Sequence, residues 1–249
     1  LSRLPYSYHH IRSFPIGFIL GYYGLLVGSL FWLKGLIPQK KTGRLLIAIL
    51  FLFPIFLMIN PGKSPYLSVT FFNVGQGDSA LIQTRNGNNI LIDTGPGKKE
   101  NEGFDTGEKV LLPLLRKAGV NQIDLLLISH YHDDHVGGLS AVIDHIPSIK
   151  EIILPDTDSE EASLFHQQYQ SKLKSFKTHY WCGYQHWQYD DLEIELFAPQ
   201  CSQTTWDESE NNRSLCFRIT YSDVAFLFTG DIEADVEKTL VDQYGEKLQ

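Results

Sequence analysis

Acidic side chains are missing altogether from the first 63 residues. That stretch holds seven basic residues (Arg3, Arg12, Lys34, Lys40, Lys41, Arg44 and Lys63) and no Asp or Glu. All 29 acids of the 249-residue chain, with the other 14 of its 21 Lys and Arg, lie in residues 64–249, which carry a net −15. So uneven a split excludes a uniform soluble globule, and it argues against a nucleic-acid binder that works through a basic face. Cysteine is scarce as well. Cys182, Cys201 and Cys216 are too few and too far apart for a disulfide framework or a Cys-x-x-Cys zinc site, and they allow one disulfide at most, of undetermined pairing. Repeats and low-complexity tracts are absent, and a 43% hydrophobic content excludes a disordered chain.

What the front does contain is apolar. Phe14–Leu33 is a run of 20 residues without charge, enough to cross a hydrocarbon core of about 30 Å at about 1.5 Å per residue. Leu45–Asn60, 16 residues, is a marginal second run interrupted by Pro54; it reads as short, tilted or kinked. The expected organisation is a membrane segment, 1–63, with two candidate transmembrane helices, 14–33 and 45–60, followed by a soluble domain, 64–249. Lys34, Lys40, Lys41 and Arg44 lie between the runs. The positive-inside rule makes that loop cytoplasmic and the 64–249 domain extracytoplasmic at the plasma (inner) membrane. Starting at Leu1 without Met, the chain reads as a piece of a larger membrane protein.

Residues 64–249 have a strand-rich rhythm. Tyr66–Val74, Ser79–Thr84 and Asn89–Asp93 are short β-branched or apolar runs joined by Gly, Asn and Asp turns, a meander. Strand and helix then alternate: helix Glu108–Ala118, strand Asp124–Ser129, helix Gly137–Ile146, strand Glu151–Leu154, helix Ser159–Ser175 with an N-cap signature. Strands Lys177–Trp181, Leu192–Ala198, Leu215–Tyr221 and Val224–Phe228 follow, then helix Glu233–Tyr244. The order suggests an α+β fold of two facing sheets with helices outside.

The chemistry concentrates where the strand DLLLIS stops. His130-Tyr131-His132-Asp133-Asp134-His135-Val136-Gly137-Gly138 places three imidazoles and two carboxylates in six residues of one loop. Imidazole and carboxylate together suit Zn²⁺, Mn²⁺ or Fe, whereas Ca²⁺ or Mg²⁺ would draw an all-oxygen set. Asp133 either orients a histidine or faces solvent. His145, His166, His179 and His186 lack companions at metal spacing and read as ordinary surface or satisfied histidines. Tyr180, Trp181, Tyr184, Trp187 and Tyr189 read first as rim or core, and second as a platform for stacking bases.

This HxHxDHxGG pattern resembles the metallo-β-lactamase superfamily over roughly residues 66–244. Together with NVGQGDS (73–79), IDTG (92–95), NNRSL (211–215) and FTGD (228–231), behind apolar segments, it is similar to the C-terminal domain of the ComEC family of competence proteins. The resemblance implies an αββα sandwich and a site for two divalent cations, Mn or Zn. Its ligands would be His130, His132, Asp134, His135 and Asp231, with Asp231 bridging and His132 and Asp134 central to catalysis. Asp78 and Asp93 would support the site from neighbouring loops. Asn212 would stand where many superfamily members have a further histidine, and the family's last histidine, in an HHGS-like stretch, is expected beyond Gln249. The function so implied is a metal-dependent phosphodiesterase or nuclease of a DNA-uptake membrane protein, with DNA as substrate and the membrane and other competence-machinery proteins as partners. Two alternatives are a metallo-hydrolase of another surface substrate (a phosphocholine or teichoic-acid ester, or a lactam) and a channel module whose site is degenerate.

Overall fold

In the computed structural model, residues 16–34, 66–98, 103–198 and 209–248 are described. Leu1–Lys63 and Ser64–Gln249 form two compact units. In the first, helix α1, Ile16–Leu33, takes up most of the first apolar run in 18 residues. At about 1.5 Å per residue it reaches about 27 Å, short of a hydrocarbon core of about 30 Å. Among the described residues no helix is long and apolar enough to cross a membrane; for the first run, 14–33, the structure thus differs from the expected span. The second run, 45–60, lies outside the described residues.

The second unit carries two sheets. One has the strand order β1-β2-β3-β4-β5-β6, made of Ser68–Phe71, Ala80–Gln83, Asn89–Ile92, Ile123–Leu127, Ile149–Pro155 and Lys177–Trp181; the other has the order β10-β9-β8-β7, with β7 Gln185–Tyr189, β8 Leu192–Phe197, β9 Cys216–Tyr221 and β10 Val224–Phe228. β1, β2 and β3 are an antiparallel meander, as their turn residues require, whereas β3 to β6 are parallel. Parallel neighbours need crossovers, supplied here by α2 (Leu112–Lys117), by α3 and α4 (Asp133–Val136 and Leu139–His145) and by α5 (Glu160–Leu173). α6, Ala234–Leu248, follows β10.

Alternation along the strands sorts the core into layers. Leu81, Leu91, Leu126, Ile152 and Leu154 pack with Leu115, Val142, Phe165 and Tyr169 of the helices. Ile82, Ile90, Ile92, Leu125, Leu127 and Ile153, one position out of phase, pack against Ile194, Leu196, Phe217 and Ile219 of the opposing sheet. The far side of the second sheet, through Phe197 and Cys216, meets Val236, Leu240, Tyr244 and Leu248 of α6. Helix, sheet, sheet and helix therefore stack in the expected αββα order. α6 runs past the expected end at Tyr244 because an i, i+4 apolar stripe continues to Leu248; the helical Gly245 costs only about 1 kcal/mol against that contact.

One strand escaped the sequence reading. Gln185–Tyr189 pairs with β8, placing Trp187 and Tyr189 against the inter-sheet core, so these aromatics are core rather than platform. Trp181 on β6 and Trp187 on β7 meet edge to face at 4.6 Å and close that side of the sandwich. Cys182 is disulfide-bonded, and Cys216 is a buried free thiol.

Candidate metal centre

β4 carries apolar residues through Leu127 and ends at the head of the sandwich, where Ile128 and Ser129 lead into the histidine loop. His130 is fully buried, His135 almost so, and His132 and Asp134 are half-buried. Asp133, at the start of α3, is exposed, which favours its solvent-facing reading.

Two groups of donor atoms converge there. In each, one atom per residue lies within 4.8 Å of the others: His130, His132 and Asp134 form one, His130, His135 and Asp231 the other. His130 Nε2 and His132 Nδ1 are 3.2 Å apart, and His135 Nε2 is 3.3 Å from Asp231 Oδ1. All five expected ligands thus come together, with His130 common to both groups. A mixed imidazole and carboxylate donor set fits Zn²⁺ or Mn²⁺.

The residues behind these donors orient them. Asp93 has φ +54, a strained backbone for a non-glycine residue that surrounding contacts must hold. Its Oδ1 accepts from Ser129 N at 2.7 Å, and its Oδ2 accepts from Ser129 Oγ at 2.7 Å and faces His135 Nδ1 at 3.0 Å. Ser129 Oγ is also 3.0 Å from His130 Nδ1. Engaging Nδ1 of both histidines turns both Nε2 atoms toward the ligand cluster, as a carboxylate behind a metal-binding histidine does. Burial opposes charge on His135, but the Asp93 bond and the charges of Asp93, Asp231 and Asp134 prevail and push it up to about 9. Burial first, then His135 and His132, drag His130 down to about 3. One imidazole is therefore neutral and ready to donate a lone pair, while the other must surrender a proton when a cation binds.

Two loops clamp the cluster. Thr94 N and Oγ1 both donate to His135 O, at 2.6 and 3.1 Å. Asp78 N donates to Asp134 O at 3.2 Å, and Asp78 O accepts from Gly95 N at 2.9 Å. A Cβ on Gly77, whose φ is +122, would collide with the Asp134 carbonyl, and one on Gly138 would collide with that of Thr94; the close approach requires both glycines. Asp78 thus bonds the histidine loop through its backbone, and Asp93 through its carboxylate.

Asn212 is buried, and both ends of its amide meet Glu233. Oδ1 accepts from Glu233 N at 2.9 Å, and Nδ2 lies 3.3 Å from Glu233 Oε2. It ties the 211–213 turn to the residue just ahead of α6. Glu210, which sequence reasoning missed, sends Oε1 to Tyr131 N at 2.9 Å, inside the ligand loop, and burial pushes its carboxyl up. The only signal for it was an acid two residues ahead of Asn212. Of the other histidines, His145 bonds the Ala141 carbonyl of its own helix, and His179 and His186 pair with Glu151 and Glu193. His166 lies beside Tyr180, ring centroids 5.2 Å apart and planes tilted by 60°.

Residues 72–248 match the family described as "Metallo-beta-lactamase superfamily". Among curated proteins the chain is 30% identical to "Competence protein ComA" of Neisseria gonorrhoeae over 181 residues, 73% of this chain and 22% of that protein. It is 26% identical to "ComE operon protein 3" of Bacillus subtilis over 233 residues, 85% of this chain and 27% of that one. The chain therefore spans about a quarter of the length of these relatives. Among solved structures, the diiron β-hydroxylase CmlA of Streptomyces venezuelae superposes with a TM-score of 0.45 at 18% identity, over 73% of this chain and 33% of that one.

Proposed function

Because the chain belongs to the metallo-β-lactamase superfamily, we propose that its 64–249 unit is a metal-dependent hydrolase that cleaves phosphodiesters of DNA in a membrane-anchored uptake protein. The observation that carries this reading is the convergence of five imidazole and carboxylate donors in two overlapping groups, enough between them for two neighbouring divalent cations, with His130 Nε2 serving one of the two. Bound there, such cations would lower the pKa of water and stabilise charge on the attacking and leaving oxygens of a phosphodiester.

The residues divide the work accordingly. His130 and His132 offer nitrogen donors, Asp134 and His135 the further pair, and Asp231, 39% exposed at its side chain, reaches both the cluster and solvent. Asp93 and Ser129 hold the tautomers of His130 and His135. Thr94, Asp78 and Glu210 hold the loop so that substrate meets a preset constellation.

The names of the competence-protein relatives support DNA uptake as the setting. The uncharged run Phe14–Leu33 supports attachment to a membrane: bilayer thinning accommodates a short helix at modest cost. The basic residues Lys34, Lys40, Lys41 and Arg44 between the two apolar runs support an extracytoplasmic 64–249 unit. The test is hydrolysis of single-stranded and duplex DNA by the full-length protein with Mn²⁺, Zn²⁺ or chelator. Cleavage that chelation abolishes and His132→Ala lowers by orders of magnitude supports the reading. A folded, metal-loaded protein inert toward every DNA substrate refutes it in favour of a structural module.

A further inference from the structure

The two edges of the sandwich are finished differently. Trp181 and Trp187 seal the β6 and β7 side, but at the β1 and β10 side Phe71 stands 68% exposed, its ring 5.8 Å from that of Phe228 with planes 33° apart. Phe71 shares the inward face of β1 with Val69, which packs into the inter-sheet core. It is thus an inner-face side chain left uncovered at the open end. Between the sheets here lies a cavity of about 180 Å³, walled by Phe71, Phe228, Phe217 and Ile92, with Asp78 and Ser129 on its polar side. Ser129 is the residue that bonds His130, so the cavity adjoins the ligand cluster. The Asp78 carboxylate has no partner among the described residues.

We propose that this cavity receives one unstacked nucleobase, laid against Phe71 and Phe228 with an amino edge toward Asp78, and that the substrate is therefore single-stranded nucleic acid. The proposal rests on the phosphodiesterase reading and deepens it. Size is the first argument: the space holds one heterocycle and excludes a base pair, so a base must leave its stack to enter. Charge is the second. A unit of net −15 draws little long-range attraction for a polyanion from its overall charge, whereas stacking on an aromatic face is independent of charge and tolerant of sequence. Chemistry is the third: an acyl chain would make no use of the exposed Asp78 carboxylate at the cavity's mouth, while an exocyclic amine gives it a donor.

The test uses full-length protein with Mn²⁺. Fluorescence anisotropy compares a cleavage-resistant phosphorothioate (dC)8 with its abasic counterpart. The strand with bases is expected to bind on the order of tenfold more tightly, about what stacking one base supplies. Phe71→Ala and Phe228→Ala should erase the difference, Phe71→Trp should keep it, and abasic binding should not change. Phe71 is exposed, so its replacement leaves the fold intact. Equal affinity for the two strands, or a preference that survives Phe71→Ala, overturns the proposal. A parallel assay with p-nitrophenyl methyl phosphate, a phosphodiester without a base, separates the two ideas. Its hydrolysis alongside equal strand affinities leaves the phosphodiesterase reading standing without the base cavity, and base preference without any hydrolysis leaves the converse.

Discussion

At the scale of single residues, the distinction is between side chains that offer lone pairs to a cation and those that position them. His132→Ala and Asp231→Ala each remove a donor from one of the two groups. Calorimetry with elemental analysis should show lower affinity or stoichiometry for both; unchanged values in both would dismiss the assigned ligand set. Asn212 belongs to the other class. With its amide engaged by Glu233, Asn212→Ala should lower stability by about 1 kcal/mol, as loss of a helix-end bond does. Metal stoichiometry should stay the same; a lost cation would make Asn212 a ligand after all.

At the scale of elements, the site depends on loops locked against one another at the head of the sandwich. A methyl group at Gly138 would press on the Thr94 carbonyl, and such overpacking costs about 1–3 kcal/mol. Gly138→Ala should therefore lower the midpoint of urea unfolding and weaken metal binding together, because Thr94 also holds His135 through two bonds. Weakened binding with unaltered stability would show that the clamp acts on the cation alone. Much of the architecture was legible at this scale. The helix Glu160–Leu173 was visible because Ser159 caps it, accepting from Ala162 N at 3.1 Å, and because Ala162, Phe165, Tyr169 and Leu173 recur at helical spacing on its buried face. β7 was not legible. Its inward residues are Trp and Tyr set among Gln and His, a composition that reads equally as a loop until β8 supplies the partner strand.

At the scale of the whole molecule, His130 and His135, the two perturbed histidines of the candidate centre, bear on the pH dependence of the metal-free protein. His130 falls from 6.5 to about 3 on folding, so the unfolded chain binds the extra proton between those values and stability rises with pH there. His135 rises from 6.5 to about 9. Its contribution is complete below the unfolded value and is lost as pH climbs through the folded one. The melting temperature in chelator should therefore peak near neutrality, around pH 6–7, and fall on either side. Binding of a cation displaces the His135 proton, so added Mn²⁺ or Zn²⁺ should stabilise the protein increasingly toward alkaline pH. Thermal melts between pH 4 and pH 9, with chelator and with metal, would check both; a metal-free curve that keeps rising to pH 9 would contradict the His135 assignment. Labelling of the 64–249 unit in intact cells by a membrane-impermeant amine reagent is the corresponding test of topology, and protection from it would place that unit in the cytoplasm.

The sequence by itself determined the composition of the candidate donor set, because five donors carry their chemistry wherever the chain goes and four of them share a single loop. It also determined the layer order, since crossover helices between apolar strands leave few other ways to bury both faces of a sheet. The remaining decisions needed three dimensions. Asp231 joins His135 only because β10 ends opposite β4, and Asp93 reaches Ser129 and His135 from positions 36 and 42 residues away. Asn212 and Glu210 lie within two residues of each other yet bond different partners, one toward α6 and the other into the ligand loop. Hydrogen bonds between segments so distant in the chain leave no periodicity behind them, so residue type and spacing could name the donors but not the residues that aim them.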